Sequence, residues 1–218
     1  IKMLTTLLKP SAGRVLLNGH DVAKEQAEVR RAFGIVFQDA SLDDELTALE
    51  NMELHAVLYG IPKAALKARV ADMLAFVDLF ERRGSLVKTF SGGMKRRLEI
   101  ARGLLHHPKI LFLDEPTVGL DPQTRNHIWD YLKRLGKTEG ITVFLTTHYM
   151  EEADKAADRV AIIDHGKILV QDSPAGLKAS TNKASLEEAF IELTGHGIRH
   201  EEASGNDRMR QMRRVWKR

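Results

Sequence analysis

Residues 110–121 of the 218-residue chain read ILFLDEPTVGLD. Four apolar residues run directly into two adjacent acids, Asp114 and Glu115, and a third acid, Asp121, follows after a turn-forming segment. An unbroken apolar run is typical of a strand buried on both faces of a parallel sheet. We therefore expect Asp114 at the carboxyl end of such a strand, where open α/β sheets bind their ligands.

The segments around this strand predict an α/β fold with an inserted helical part. From Lys109 onward, apolar strand-like runs alternate with helical patterns, and a tight turn at residues 164–167 indicates an antiparallel hairpin. Residues 1–8 read as the end of a helix, and Ser185 with Glu188 forms a capping box for a last helix. The predicted units are an α/β core over 1–42 and 107–180, a helical subdomain over 43–106, a C-terminal helix over 185–195 and a basic tail over 196–218.

Composition excludes several classes of function. The 33 basic and 30 acidic residues leave a net charge of only +3, so composition gives no argument for nucleic-acid binding. The absence of cysteine excludes disulfides, thiol catalysis and Cys-ligated metals. No apolar run reaches the roughly 18 residues that a spanning helix needs. The chain itself is therefore expected to be soluble, although it could dock onto a partner in a membrane.

The adjacent acids Asp114 and Glu115 predict a magnesium site. Two neighbouring carboxylates repel each other, and a bound divalent cation is the simplest way to stabilise both. In nucleotide hydrolases a strand-end Asp helps to hold Mg²⁺ while a neighbouring residue positions the attacking water. Taken alone, the same residues fit a strand followed by an acidic turn equally well.

A second motif, SGGMKRRLEIARGLL, begins at Ser91. Ser91 is a good helix N-cap, and Gly92 and Gly93 would let backbone approach a phosphate closely. The amide groups at a helix start attract anions. The alternative is an ordinary capped helix, in which case the basic side chains of this motif form a solvated face, namely Arg96, Arg97 and Arg102.

Two polar residues follow other predicted strands. Gln38 comes after IVF and His148 comes after VFLTT, so both would reach the same sheet edge as Asp114 if the strands are parallel. A lone Gln or His at such a position is usually structural. The occurrence of both in this order favours a functional edge.

Together these motifs resemble the nucleotide-binding subunit of ATP-binding cassette (ABC) transporters, from Ile1 to about Gly195. FSGGMKRR is similar to the family signature, with Phe90 and Met94 in place of the usual Leu and Gln. ILFLDEP is similar to the Walker B strand, VGLD to the D-loop and TTH to the switch histidine. The signature helix and the terminal LEEAFIELTG look most like the branch that serves drug-resistance and related exporters.

The resemblance implies a P-loop NTPase-like α/β fold, ATP and Mg²⁺ as cofactors, and a role for each matched residue. Asp114 would hold Mg²⁺, Glu115 would act as general base, and His148 would contact the γ-phosphate. Gln38 would belong to the catalytic residues, bind the metal beside Asp114 and link the metal site to a membrane partner. The positions implied for ATP held by an opposite copy are Ser91, Gly92 and Gly93, and Asp121 would cross that interface.

The resemblance also implies partners and a location. A second nucleotide-binding subunit would close head to tail on this one, and a separate transmembrane permease would carry the substrate. Such a chain would lie at the cytoplasmic face of the cell membrane, and no nucleic-acid partner is expected. A soluble cassette ATPase that serves no transporter and a non-catalytic binding or regulatory module remain as alternatives.

The sequence departs from the family at its amino end. The loop Gly-x-x-x-x-Gly-Lys-[Ser/Thr], which cradles phosphates in P-loop proteins, is absent from the 218 residues. IKMLTTLLKPSAGRVLLNG resembles what directly follows that loop, so we expect the loop and the first core strand upstream of Ile1. The chain as given is therefore expected to bind ATP poorly and to hydrolyse almost none.

Two further features have alternative readings. Met209, Met212 and Trp216 fall on one helical face among basic residues, which is typical of membrane-surface helices, although a solvated tail is the favoured reading. His106 and His107 suggest a metal, but with no cysteine and no third ligand nearby they are expected to end the signature helix.

Overall fold

The computed structural model describes residues 1–38, 41–138 and 140–195. The predicted basic tail, with Met209, Met212 and Trp216, lies outside these residues. The described strands are β1 (Leu16–Leu17), β2 (His20–Asp21), β3 (Phe33–Val36), β4 (Ile110–Asp114), β5 (Thr142–Thr146), β6 (Val160–Asp164) and β7 (Lys167–Asp172). The described α-helices are α1 (Gln26–Ala32), α2 (Ala48–Leu58), α3 (Lys63–Phe76), α4 (Gly92–Leu104), α5 (Pro122–Thr138), α6 (Met150–Ala156), α7 (Pro174–Thr181) and α8 (Leu186–Thr194).

The chain divides into two compact units, Ile1–Thr147 and His148–Arg218, and the second is described as far as Gly195. In the first unit, β3, β4 and β5 form a parallel sheet in that order. Val36 pairs with Leu113, and Asp114 pairs with Thr146. The carboxyl ends of the three strands therefore lie at one edge of this sheet, and the prediction of a strand ending at Asp114 is confirmed.

The centre of this sheet is buried because β4 has apolar side chains on both faces. Leu111, Phe112 and Leu113 are at most 1% exposed. Helix α4 approaches β3 so closely that a Cβ atom on Gly34 would lie 2.1 Å from the carbonyl oxygen of Gly103. Only a glycine at position 34 allows this close approach, which places α4 against the strand that leads to Gln38.

The segment that the sequence predicts to be helical contains α2, α3 and α4 and lies within the first unit, and its status as a separate subdomain stays a prediction. Their shared core contains Met52, Leu74 and Leu98, none of which is exposed. Thr47 opens α2 with a complete capping box, because Glu50 accepts from the Thr47 amide while its own amide donates to the Thr47 hydroxyl. The helical spacing of apolar residues in this segment thus predicted its structure.

The second unit contains the predicted hairpin, β6–β7, with antiparallel pairing and an irregularity between Ile162 and Ile163. Helices α6, α7 and α8 pack on one face of it around Ile162, Leu177 and Leu186. The capping box at the start of α8 is confirmed, and the helix ends at Gly195 in the left-handed conformation. No helix in the described part of the chain is long and apolar enough to cross a membrane.

Two local predictions fail. Residues 1–8 form turns instead of the end of a helix, because Thr6 has a φ of 62° and only the amide of Thr5 bonds to a carbonyl four residues back, that of Ile1. Helix α7 was not predicted, although Ser173 caps it, Pro174 occupies its first turn and Asn182 closes it in the left-handed conformation.

Candidate functional site

The acids at the end of β4 are tied to the neighbouring strand by one hydroxyl. Thr146 Oγ1 donates a hydrogen bond to Asp114 Oδ1 at 2.6 Å and accepts one from the backbone amide of Glu115 at 3.2 Å. The contact follows from the register, which pairs Asp114 with Thr146. Thr146 therefore fixes one oxygen of the Asp114 carboxylate, although no sequence motif predicted a role for this residue.

The strand ends here because Glu115 has a φ of 48°. A left-handed conformation at a non-glycine residue is uncommon and costs free energy, so it persists only where the surroundings determine it. Asp114 and Glu115 are both half-buried. The chain thus turns between the two acids that the sequence singled out.

The residues present fit a Mg²⁺ ion of the kind that nucleotide hydrolases use. The described residues contain no group of three or more His, Asp or Glu side chains that could enclose a metal. Mg²⁺ in phosphate-transfer sites takes one or two carboxylates from the protein and completes its shell with water and phosphate oxygens. Asp114, oriented by the Thr146 hydroxyl, supplies a carboxylate of this kind.

Ser91 caps α4 as predicted, because its hydroxyl accepts a hydrogen bond from the amide of Met94 at 3.3 Å. Ser91 and Gly92 are exposed, whereas Gly93 is buried. A Cβ atom on Gly93 would lie 2.3 Å from Thr124 Cγ2 in the first turn of α5. The start of α4 therefore packs directly on the start of α5.

Asp121 stands at the start of α5 and caps it. Its carboxylate accepts hydrogen bonds from the amides of Gln123 and Thr124 at 3.1 and 3.0 Å and from the Thr124 hydroxyl at 2.6 Å. The Thr124 hydroxyl, followed by the Thr124 amide, holds the pKa of Asp121 below its ordinary value. Thr124 thus brings Asp121 and Gly93 into one local structure, which no sequence pattern predicted.

The alternative reading of the basic residues on α4 as a solvated face is wrong. Arg96 and Arg102 are only 7% and 6% exposed, and Glu99 between them is 2% exposed. Burial lowers the pKa of both guanidinium groups, and the charge of Glu99 opposes that shift. Arg97 is half-buried and donates to the carbonyl of Val77 at 3.0 Å.

Gln38 is exposed and follows β3 by two residues. Arg96 donates to the carbonyl of Phe37 and to that of Asp114, so the structure brings the Gln38 backbone to the same edge as the acids. His148 begins the second unit, and its ring lies 4.1 Å from that of Tyr149. The roles assigned to Gln38 and His148 stay predictions.

His106 makes structural contacts. Its Nε2 atom is 2.9 Å from the carbonyl oxygen of Phe33, and its ring stacks on Tyr59 with 4.1 Å between centroids. Burial lowers the pKa of His106. The residue joins the end of the α4 segment to β3 and α2, in keeping with the expectation that this pair ends the helix.

The amino-acid sequence of this chain matches those of known proteins. A family model described as "ABC transporter" matches residues 1–118. The daunorubicin/doxorubicin resistance ATP-binding protein DrrA of Streptomyces peucetius is 45% identical over 83% of this chain and 54% of its own length. The linearmycin resistance ATP-binding protein LnrL of Bacillus subtilis is 40% identical over 91% of this chain and 62% of its own length. The chain thus spans little more than half the length of these relatives.

Solved structures agree with the sequence comparisons. An ATP-binding subunit of an ABC transporter superimposes with a TM-score of 0.76 at 27% identity, covering 88% of this chain and 80% of the other. The ATP-binding cassette MJ0796, solved as a dimer in a post-hydrolysis state with ADP and Pi, gives a TM-score of 0.69 at 29% identity, covering 79% and 78% of the two chains. This chain therefore belongs to the ABC transporter family and has the α/β fold of its ATP-binding domain.

Proposed function

We propose that the full polypeptide carrying this sequence is the ATP-hydrolysing subunit of an ABC exporter. It would couple binding and hydrolysis of Mg²⁺-ATP to transport through a separate membrane subunit. The observation that carries the proposal is the strand-end pair Asp114 and Glu115, held by Thr146 at the ligand-binding edge of a parallel sheet. Membership of the family supports the same reading.

The chemistry assigned to this edge needs few protein groups. Asp114 would hold Mg²⁺, which when bound neutralises charge on the phosphate oxygens. Glu115 would accept a proton from the attacking water as general base. Gln38 would bind the metal beside Asp114 and would link the metal site to the membrane partner. His148 would contact the γ-phosphate.

A second nucleotide-binding subunit would complete the site. Ser91, Gly92 and Gly93 would bind the γ-phosphate of ATP held by the opposite copy, with Asp121 crossing between the two. The exposure of Ser91 and Gly92 supports this assignment, since an opposing nucleotide can reach them. The contact of Gly93 with Thr124, which also bonds to Asp121, would fix the position of Asp121 relative to residues 91–93.

The proposed cargo pathway rests on the relatives, which are named for resistance to daunorubicin, doxorubicin and linearmycin. We propose that this subunit lies at the cytoplasmic face of the cell membrane and drives export through a permease, which is a separate polypeptide. We further propose that the 218 residues by themselves bind ATP weakly and hydrolyse almost none. The glycine-lysine loop that supplies phosphate contacts in such enzymes is not among them.

A mixing experiment tests the composite site. The full polypeptide is prepared as two variants, Glu115→Gln, which lacks the base, and Ser91→Arg, which blocks the opposing phosphate site. Each alone should release almost no phosphate from Mg²⁺-ATP. Random pairing of the two should restore up to about a quarter of the wild-type rate, because about half of the pairs are mixed and each mixed pair has one intact site.

The other outcomes separate the alternatives. Mixtures that stay inactive beside an active wild type would place the whole site within one copy. A wild-type polypeptide without Mg²⁺-ATP hydrolysis would favour the non-catalytic module. An active polypeptide that stays out of the membrane fraction of its source cells would favour the soluble cassette ATPase.

A further inference from the structure

The guanidinium group of Arg96 uses all of its hydrogen-bonding capacity in the interior of the first unit. Nε donates to the carbonyl of Pro116 at 2.8 Å, and Nη2 donates to those of Asp114 and Glu115 at 2.9 and 3.0 Å. Nη1 donates to the carbonyl of Phe37 at 2.5 Å and to Glu99 Oε2 at 3.3 Å. An arginine has five N–H donors, and each of them has an acceptor here.

Three of these acceptors are consecutive carbonyls, which an extended chain cannot direct to one point. In a strand, successive carbonyls point in alternating directions across the sheet. The chain must therefore turn after Asp114, and it turns at Glu115, whose φ is 48°. Arg96 is the cation on which the three carbonyls converge, so it offsets the cost of the left-handed conformation at Glu115.

Two further buried charged residues of α4, Glu99 and Arg102, hold the chain after Gln38. Glu99 Oε1 accepts a hydrogen bond from the amide of Ser41 at 2.8 Å, and Arg102 donates to the Ser41 carbonyl at 2.9 Å. Arg96 holds Phe37 on the preceding side. Two anchor points, one on each side of Gln38, are therefore fixed to one helix.

Helix α4 thereby joins two sets of residues that the proposed function places in different nucleotide sites. Its N-cap, Ser91, would face the ATP of the opposite copy. Five residues later, Arg96 holds the backbone of the chain's own acids. A displacement of α4 would therefore reach the backbone of residues 114–116 through the hydrogen bonds of Arg96, with no flexible loop in between.

We infer that Arg96 is a positioning residue for hydrolysis, because it sets the position of the Glu115 and Phe37 backbone relative to α4. The inference rests on the proposed function for its catalytic meaning. The anchoring of residues 114–116 by α4 does not depend on the proposed function, because it follows from the hydrogen bonds of Arg96. All five N–H donors of Arg96 bond to protein groups, so Arg96 acts through the backbone of Glu115.

The test uses the full polypeptide with Arg96→Met, and Arg97→Met is the matched control. Both substitutions remove a guanidinium from α4, but Arg97 donates to Val77 and not to the acids. Because Arg96→Met leaves Glu99 without one partner, the double variant Arg96→Met/Glu99→Gln is measured as well. Both Arg96 variants should behave alike.

Hydrogen exchange of the nucleotide-free protein provides the first readout. Arg96→Met should increase exchange at the amides of Glu115 and Val118, which bond to Thr146 Oγ1 and to the Glu115 carbonyl. Arg97→Met should instead affect residues 77–79. Equal exchange of residues 114–118 in wild type and both Arg96 variants would overturn the anchoring role.

Kinetics normalised to the number of nucleotide-binding sites provide the second readout. Arg96→Met should lower kcat by about tenfold or more with KM changed by less than about threefold, as expected for a misplaced base in an otherwise intact binding site. Arg97→Met should keep kcat within about twofold. An unchanged kcat in Arg96→Met, or an equal loss in Arg97→Met, would refute the positioning role.

The two readouts keep this inference separate from the proposed function. If wild type and Glu115→Gln hydrolyse ATP at the same rate, the proposed function fails and the catalytic part of this inference fails with it. Exchange at residues 114–118 decides the anchoring by Arg96 in either case.

Discussion

At the scale of single residues, the site depends on small groups that orient larger ones. The hydroxyl of Thr146 lies between the Asp114 carboxylate and the Glu115 amide and bonds to both. A hydrogen bond of this geometry to one carboxylate oxygen restricts the side-chain rotamer. One oxygen of Asp114 is thereby oriented, and the other can face a cation.

Replacement of Thr146 by Val, which has the same shape, tests this arrangement. Thr146→Val should raise the Mg²⁺ concentration for half-maximal ATP hydrolysis by about tenfold, comparable to other losses of a group that orients a metal ligand. The measurement is a Mg²⁺ titration of phosphate release by the full polypeptide. Thr142→Val, on the exposed part of the same strand, is the control and should leave the titration unchanged.

The packing of Gly93 on Thr124 predicts a difference between two adjacent glycines. Gly93→Ala should lower the free energy of unfolding by about 1–3 kcal/mol, because its Cβ would lie 2.3 Å from Thr124 Cγ2. Gly92→Ala should cost less than about 0.5 kcal/mol, since its Cβ would meet only Leu120 Cδ2, at 3.8 Å. Urea unfolding of both variants measures the difference.

The double variant Gly93→Ala/Thr124→Ser identifies the cause of that loss. Serine lacks the methyl group that the new Cβ would strike but keeps the hydroxyl that bonds to Asp121. We expect the second substitution to recover most of the lost stability. A double variant as unstable as Gly93→Ala alone would contradict the assigned contact.

At the scale of elements, α4 connects most parts of the first unit. Its glycine face contacts β3, its apolar face contacts α2 and α3, and its buried charges hold the ends of β3 and β4. On the α2 side, Arg102 Nη1 lies 3.4 Å from His55 Nε2. The contact between α2 and α4 therefore places a titratable ring beside a permanent positive charge.

This contact predicts a pH dependence of stability. Burial and then the charge of Arg102 lower the pKa of His55 from 6.5 to about 4. Protons bind more readily to the unfolded chain in this interval, so the contribution of neutral His55 is complete above pH 6.5 and is lost as the pH falls towards about 4. Unfolding free energies of wild type and His55→Gln across this range measure the effect. Parallel curves for the two proteins would contradict the prediction.

The elements differ in how far the sequence predicts them, and the reason is physical. The apolar run before Asp114, the hairpin at β6–β7 and the capping box of Ser185 are local patterns, and the structure confirms them. The burial of Arg96 depends on carbonyls of Phe37 and Asp114 that are distant along the chain. Helical spacing cannot distinguish such a residue from a solvated one.

The candidate site shows the same limit. Acidic, glycine-rich and strand-end patterns predicted Asp114, Glu115, Ser91 and Gln38 as candidates. Thr146 and Thr124 were missed, because a single threonine has no pattern of its own. The pairing of β4 with β5 was a usable signal for Thr146, since register places it opposite Asp114.

At the scale of the whole molecule, the acids proposed for hydrolysis, Asp114 and Glu115, lie in the first unit, His148 begins the second, and export is proposed for an assembly. The family and the fold are established by the matching model and by the superposition on ATP-binding subunits. The partner subunits and the cargo stay proposals. The proposed hydrolysis depends on one claim, that Glu115 acts as the base.

Phosphate release by the full polypeptide at saturating Mg²⁺-ATP tests that claim most directly. Glu115→Gln should lower the rate by about 10²–10⁴-fold while nucleotide binding persists, because the substitution removes the base and keeps the shape of the side chain. Glu151→Gln, the same change at an 87% exposed side chain on α6, should keep the wild-type rate. A Glu115→Gln variant that hydrolyses ATP within about twofold of wild type would contradict the account.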